Sequence, residues 1–177
     1  MIGLGSNVGD REGNLRRAVS AIKALSRLVA VSSVYETEPM YREDQAWFLN
    51  CVVVVETDLE PRALLAWLKD TETEMGRDRH AARNAPRVID MDILFYGERV
   101  VSEPSLRVPH PGVAERAFVL VPLNEVRPLL VHPVLRKSVG ELLRELPARK
   151  GVVKRPGLLS GLSPSQPRLP GQPAESP

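Results

Sequence analysis

The sequence has one cysteine, few aromatic residues and almost no net charge, and these shortages exclude several classes of protein. Cys51 cannot form an internal disulfide, and its place in an apolar run predicts a small buried side chain. A formal net charge of +2 is too small to indicate nucleic-acid binding. Aromatic residues make up only 5% of the chain, so each ring needs a reason for its position.

Long apolar runs are also missing: none approaches the roughly 18 residues that span a bilayer, and the first residues do not resemble a signal peptide. We therefore expect a cytoplasmic protein with no membrane partner. Apolar residues make up 43% of the chain, enough for one folded domain, which we place at residues 1–150. Pro, Gly and Ser dominate residues 151–177, which we predict to be a disordered tail whose removal leaves the fold intact.

Hydrophobic periodicity predicts the order strand, helix, strand, strand, helix, strand. Pro61 suits the first position of the second helix, and Gly76 suits the residue that ends it. This order is the split βαβ pattern of ferredoxin-like α+β folds, which we expect to place helices on one face of an antiparallel sheet and the site on the other. A doubly wound sheet would need more helices between strands. The predicted strands are 1–4, 29–35, 50–57 and 88–96.

Two aspartates, Asp90 and Asp92, lie within the last of these strands. Because side chains alternate along a strand, both carboxylates should lie on one face with their Cα atoms about 7 Å apart. Two carboxylates in an apolar strand repel each other, and a hard divalent cation would remove that conflict. The alternative is that both face water and pair with arginines. The apolar residues of the strand should pack on the other face: Ile89, Met91, Ile93 and Phe95.

Four arginines precede this strand within eleven residues: Arg77, Arg79, Arg83 and Arg87. Arginine binds phosphate oxygens through a planar group that stays charged, and arginines beside paired carboxylates are typical of phosphoryl-transfer sites. A solvated basic loop or an RNA-binding loop is the alternative. RNA-binding domains of this topology carry aromatic rings on the open sheet face, where this sequence has Asp and Val.

Glu72 falls within the buried stripe of the second helix. A buried carboxylate is costly without a partner, so Glu72 either braces the arginine loop or lies at the edge of the stripe with its charge in water. His110 lies between Pro109 and Pro111, which would restrict its direction, although a loop histidine is more often a surface residue.

The run 83–94 closely resembles the signature of the hydroxymethyldihydropterin pyrophosphokinases. Other motifs of that family occur in the same order and with similar spacing: Leu4-Gly-Ser-Asn-x-Gly-Asp10, Ser33-x-Tyr-x-Thr-x-Pro39, Phe48-Leu-Asn50, Gly76-Arg-x-Arg79, and Val108-Pro-His110 through Arg116-x-Phe118. The resemblance covers about residues 1–145. It implies a ferredoxin-like enzyme that transfers pyrophosphate from ATP to 6-hydroxymethyl-7,8-dihydropterin and releases AMP.

The resemblance implies a phosphate side of the site, on which Asp90 and Asp92 look like the ligands of two Mg²⁺ ions that bridge the ATP phosphates. The catalytic group would consist of Arg79, Arg87, Asp90 and Asp92. The implied ATP contacts are Glu72, Arg77, Arg79, Arg87, Ile93, His110 and Arg116. Asn84 stands where relatives often have an aromatic residue, and Pro111 where they often have another residue, so loop closure and the phosphate contacts are expected to differ.

The resemblance also implies a pterin side. Phe48 and Phe118 look like the aromatic pair that sandwiches the ring, and Asn50 matches the side chain that hydrogen-bonds its edge. The strand pattern supports Asn50 independently, because a polar residue at the start of a valine strand needs a reason. The family's loop offers backbone groups to the ring at the positions of Thr37, Pro39 and Met40.

Two other functions are kept as alternatives. One is another Mg²⁺-dependent phosphoryl or nucleotidyl transferase with a different alcohol, which a pterin requirement would exclude. The other is a non-enzymatic ferredoxin-like module for RNA or a regulatory ligand, which would show no metal dependence and, for RNA, a steep salt dependence. We expect ATP and the pterin to be the partners, with no nucleic acid, and a monomer, with a weak dimer as the alternative.

Overall fold

The computed structural model describes residues 1–40, 44–78, 81–82, 85–147 and 151–162. The first half contains β1 (Ile2–Ser6), α1 (Arg11–Leu25), β2 (Arg27–Val31), β3 (Val34–Thr37), β4 (Phe48–Glu56), α2 (Pro61–Glu74) and β5 (Asp90–Ile93). The second half contains β6 (Val101–Ser102), β7 (Arg107–Val108), a 3-10 helix (Val113–Glu115), α3 (Ala117–Val126), α4 (Val139–Glu145) and β8 (Val152–Arg155). Among the described residues, none of the helices has the length and apolar character that crossing a bilayer would require.

Six of the strands form one antiparallel sheet in the order β5-β1-β4-β3-β8, and β2 also pairs with β4. Strands β6 and β7 form a separate two-stranded sheet. The predicted α+β class with an antiparallel sheet is confirmed. Pro61 stands in the first turn of α2, and Gly76, with φ 98°, follows its end as predicted.

Helices pack against both faces of the sheet. Leu15 of α1 and Leu68 of α2 pack with Leu4 and Cys51 on one face, as the prediction required. Helices α3 and α4 pack against Val52 on the opposite face, where the prediction placed no helix. The sheet face on which α3 and α4 pack is therefore only partly open, and α3 borders the open part.

The strand predicted at 29–35 is in fact two strands, β2 and β3. Ser33 interrupts the ladder because its backbone N–H and its hydroxyl both donate to the Glu125 carboxylate of α3, at 3.0 and 2.8 Å. The β2–β4 pairing also shifts register between Leu28 and Ala30. A contact made with α3 thus divides the predicted strand.

The strand predicted at 88–96 is shorter, and one of its side chains lies on the other face. The ladder covers only β5, and strict alternation fails beyond it. Ile89, Met91 and Ile93 pack beneath α1 and α2 as expected. Phe95 packs instead with α3 and α4, because the chain leaves the ladder after Ile93.

The prediction of a disordered tail from residue 151 is wrong for residues 151–162. Strand β8 pairs with β3, from Val34 opposite Arg155 to Thr37 opposite Val152. Leu158 and Leu162 then pack against the main core. The apolar residues of this segment are few, but β3 offers them a sheet edge. Residues 163–177 lie outside the described part of the chain.

Cys51 is fully buried in β4, and burial raises the pKa of its thiol to about 12. A thiol in that environment stays protonated at neutral pH and is a poor nucleophile. Cys51 is therefore a small core side chain, as its place in the apolar run indicated.

Candidate active site

A cavity of about 530 Å³ lies on the open part of the sheet face that α3 borders. Most of the predicted site residues line it: Thr37, Met40, Phe48, Asn50, Arg77, Arg87, Asp90, Asp92, His110, Arg116 and Phe118. Pro39, Glu72 and Ile93 are not part of the lining. Arg79 and Asn84 lie outside the described residues, so their predicted roles stay predictions.

Strand β1 forms the floor of the cavity, and on this face it carries only glycines. Gly5 lies opposite Asp90 of β5 on one side and opposite Asn50 of β4 on the other. A Cβ atom at Gly5 would lie 2.6 Å from the Oδ1 atom of Asn50, closer than atoms can approach without a shift. Glycine at this position therefore keeps open the space between the carboxylates and Asn50.

Asp90 forms ion pairs with two arginines. Arg77 lies 2.5 Å from its Oδ1 atom, and Arg87 lies 2.7 Å from its Oδ2 atom. Burial alone would raise the pKa of Asp90, but Arg87, Arg77 and Lys69 outweigh burial and lower it. Asp90 is therefore ionised at neutral pH, and both arginines are held at the cavity.

Asp92 also lines the cavity, and its side chain is more exposed than that of Asp90, at 37% against 23%. The Nζ atom of Lys69 lies 3.4 Å from its Oδ1 atom. Burial lowers the pKa of Lys69, but Asp92, Glu72 and Asp90 outweigh that effect and the pKa is raised. The ammonium therefore stays charged beside Asp92.

Glu72 is buried, with 2% of its surface exposed, and it braces the strand and the arginine. Its Oε1 atom accepts from the Met91 backbone N–H at 2.6 Å and from Lys69 at 2.8 Å, and its Oε2 atom lies 2.7 Å from Arg77. Burial raises the pKa of Glu72, and the two cations act in the opposite direction. Of the two alternatives, the structure therefore shows the bracing role.

Glu72 and Ile93 do not line the cavity, and their predicted ATP contacts stay predictions. Glu72 holds Arg77 and β5 in place through its carboxylate. The Ile93 side chain is 3% exposed and packs in the core beneath α1 and α2. Both residues support the site through β5, because alternation directs Met91 and Ile93 away from the carboxylates.

Two supporting residues were missed by sequence reasoning. Lys69 accompanies Glu72 on α2 and donates to the Met91 carbonyl at 3.0 Å; its position one turn before a buried carboxylate was a usable signal. Asn7 binds both backbone groups of Arg87. The backbone N–H of Asn7 donates to the Arg87 carbonyl at 3.1 Å, and the side-chain Oδ1 atom of Asn7 accepts from the Arg87 N–H at 2.7 Å. Its side-chain amide also donates to Gln45 at 3.0 Å.

His110 is held by two backbone hydrogen bonds. Its N–H donates to the Leu94 carbonyl at 2.9 Å, and its Nδ1 atom accepts from the Gly112 N–H at 3.1 Å. The neutral ring must therefore carry its proton on Nε2. Burial lowers the pKa of His110, and with Arg116 it outweighs the carboxylates of Asp92 and Asp90. A neutral ring that can donate from Nε2 thus lines the cavity.

The cavity lining also includes a side-chain amide and two aromatic rings. The Asn50 side-chain NH₂ donates to the Thr37 hydroxyl at 2.7 Å, which fixes the orientation of the amide. Phe48 and Phe118 both line the cavity, and the Arg116 guanidinium lies 5.8 Å from the Phe118 ring centroid. Flat apolar surfaces and an oriented amide can bind a planar heterocycle with hydrogen-bonding edges.

The acidic end fits a hard divalent cation held jointly with a ligand. In the part of the chain that the structure describes, no three His, Cys, Asp or Glu residues come together as a metal site. Two carboxylates with the remaining positions left to phosphate oxygens and water are the usual donors for Mg²⁺. Asp90 and Asp92 supply such a pair.

A family model described as 7,8-dihydro-6-hydroxymethylpterin-pyrophosphokinase (HPPK) matches residues 1–128. The chain belongs to the HPPK family. The HPPK chain is similar to bacterial proteins named 2-amino-4-hydroxy-6-hydroxymethyldihydropteridine pyrophosphokinase. The one from Methylorubrum extorquens is 45% identical over 150 residues, covering 84% of this chain and 90% of that protein. The one from Aquifex aeolicus is 39% identical over 144 residues, covering 81% and 89%.

Longer HPPK relatives also match. The folic acid synthesis protein FOL1 of Dictyostelium discoideum is 37% identical over 146 residues, covering 82% of this chain and 22% of that protein. The chain thus spans less than a quarter of that relative. The crystal structure of Plasmodium falciparum HPPK-DHPS with pterin and p-hydroxybenzoate has a TM-score of 0.65 and 19% identity, covering 81% of this chain and 40% of that one. This likeness shows that the fold is shared.

Proposed function

We propose that this chain transfers pyrophosphate from ATP to 6-hydroxymethyl-7,8-dihydropterin, giving AMP and the pterin pyrophosphate for folate synthesis. The observation that carries the proposal is that one cavity is lined by two carboxylates, by arginines, by an oriented amide and by two phenylalanines. Membership of the HPPK family supports the same reaction. We propose ATP and the pterin as the only substrates and a monomer as the active species.

The acidic end would hold the triphosphate. Asp90 and Asp92 would bind two Mg²⁺ ions, which neutralise phosphate charge when present. Arg77 and Arg87, already fixed at the cavity by Asp90, would bind phosphate oxygens, and we propose the same for Arg79. The Nε2 proton of His110 and the guanidinium of Arg116 would contribute further donors. These fixed charges would stabilise the negative charge that develops during transfer.

The amide end would hold the pterin. Phe48 and Phe118 would stack on the ring, and Asn50 would bind its edge with the amide group that Thr37 orients. The hydroxymethyl oxygen would then form a bond to the β-phosphorus and lose its proton to water. The bond from that phosphorus to the oxygen bridging to the α-phosphate would break, with its electron pair left on the AMP oxygen. AMP leaves, and no bond to the protein is formed. The role of this chain is therefore to position both substrates and stabilise charge.

Asn50→Ala is expected to weaken pterin binding about tenfold, because one oriented hydrogen-bonding group is lost. The measurement is a fluorescence titration of the pterin in the presence of a non-hydrolysable ATP analogue and Mg²⁺. The affinity of the same variant for the ATP analogue alone is the control and should stay within about twofold. Unchanged pterin affinity would remove Asn50 from the pterin side.

The proposed function is tested by AMP release from purified protein with ATP, Mg²⁺ and reduced pterin, each omitted in turn. AMP that appears only when all three are present supports the proposal. AMP release that needs ATP and Mg²⁺ but not the pterin would point to a transferase with another acceptor. No turnover, together with salt-sensitive RNA binding, would favour the binding-module alternative.

A further inference from the structure

The C-terminal strand β8 covers the edge of β3, the strand that carries Thr37. The pairing runs to Thr37 opposite Val152, and one more hydrogen bond follows it: the Glu38 N–H donates to the Gly151 carbonyl at 3.1 Å. Glu38 itself lines the cavity. The last contact of β8 therefore lies where β3 enters the pterin end of the site.

Two features of Gly151 suit this contact. Its φ of 68° lies in the left-handed region, which favours glycine. In addition, a Cβ atom at this position would lie 2.7 Å from the Cδ atom of Glu38, so the Glu38 side chain packs directly on the glycine. A larger residue at Gly151 would have to displace Glu38.

The far end of β8 is linked through Glu36 and Arg11 to the end of the segment between β3 and β4. The Arg155 Nε atom donates to the Glu36 carboxylate at 2.9 Å. Arg11 binds that carboxylate at 3.0 Å and also donates to the Trp47 carbonyl at 2.7 Å. Strand β8 is thus connected to the start of the segment between β3 and β4 through Glu38, and to its end through Glu36 and Arg11.

Thr37, which orients the Asn50 amide proposed to bind the pterin, lies between the two residues that β8 contacts, Glu36 and Glu38. Thr37 accepts from Asn50 at 2.7 Å, and both side chains are buried. A four-residue strand at a sheet edge frays easily when it loses a neighbour. Fraying of β3 would release the Thr37 hydroxyl, and the amide of Asn50 would lose its fixed orientation.

We propose that β8 is a positioning element for the pterin: it keeps Thr37 and Glu38 in the arrangement that binds the ring, and it does not touch the triphosphate end. The inference rests on the proposed placement of the pterin at Asn50. It assigns to residues 151–155 an effect on one substrate only. Pterin affinity should therefore depend on this segment, and ATP affinity should not.

The test compares Gly151→Ala with Gly157→Ala in the full chain. Both glycines have left-handed φ values, 68° and 83°, but nothing lies within 4 Å of a Cβ atom at Gly157. The second variant therefore reproduces backbone strain without displacing Glu38. We expect Gly151→Ala to raise the KM and Kd for the pterin about tenfold, with ATP values within about twofold. Gly157→Ala should leave both unchanged.

Arg155→Ala provides a milder second variant if Gly151→Ala fails to fold, and it should raise the pterin Kd about threefold. Equal losses of pterin and ATP affinity, or no loss in either variant, would overturn the positioning role. Asn50→Ala separates this failure from failure of the proposed placement. If Asn50→Ala weakens pterin binding and the β8 variants do not, only the role of β8 is wrong; if Asn50→Ala has no effect, the placement itself is wrong.

Discussion

Asp92→Asn is expected to lower kcat by about a thousandfold or more. The carboxylate lines the cavity and is the more exposed of the pair, so the substitution replaces the proposed cation ligand with a neutral side chain of nearly the same size. The midpoint of urea unfolding should change little, since the Lys69 contact to Asp92 is long at 3.4 Å. The measurements are AMP release under saturating substrates and calorimetric binding of the ATP analogue with Mg²⁺.

Asp58→Asn is the matched control, because Asp58 is exposed and does not line the cavity. It should keep full activity. A kcat for Asp92→Asn within about tenfold of the parent would show that the second carboxylate does not hold a metal ion. A large fall in the unfolding midpoint would instead mean that Asp92 is needed for the structure.

Glu72→Ala is expected to lower the free energy of unfolding by about 3 kcal/mol, the usual cost of removing one partner from a buried ion pair. Lys69 and Arg77 would lose their shared carboxylate, and the Met91 N–H would lose its acceptor. Urea denaturation measures the change. Activity should fall as well, because Arg77 and β5 lose their common support.

Glu74→Ala is the control for this variant, since Glu74 is an exposed residue of the same helix. It should change stability by less than about 0.5 kcal/mol. Glu72→Gln keeps an acceptor for the Met91 N–H, so its free energy of unfolding should lie between those of Glu72→Ala and Glu74→Ala. If Glu72→Ala proves as stable as Glu74→Ala, the buried network contributes nothing to folding, and the bracing role is wrong.

The central features of the fold and site were visible in the sequence where the signal is local. Alternation alone places Asp90 and Asp92 on one face, and Pro61 and Gly76 mark the ends of α2. These signals depend on neighbouring residues and on backbone geometry that a single residue type favours. They do not depend on which helices and strands pack against each other.

The features that were missed depend on partners distant in the sequence. Ser33 divides a predicted strand because it binds Glu125, 92 residues later. Asn7 binds Arg87 across 80 residues. Strand β8 lies in a segment rich in proline, glycine and serine, and its strand structure depends on the free edge of β3. Such contacts leave no periodic pattern in the local sequence.

The support that Glu72 and Lys69 give to β5 also occupies backbone groups at the edge of the sheet. Strand β5 is at the edge of the sheet, where unpaired backbone groups can recruit a strand from another molecule. At Met91 the outward N–H and C=O are already bound by Glu72 and Lys69. At the opposite edge, β8 is short and ends in Lys154 and Arg155. The contacts that hold the carboxylates in place thus also occupy backbone groups to which a strand of a second chain could otherwise bind.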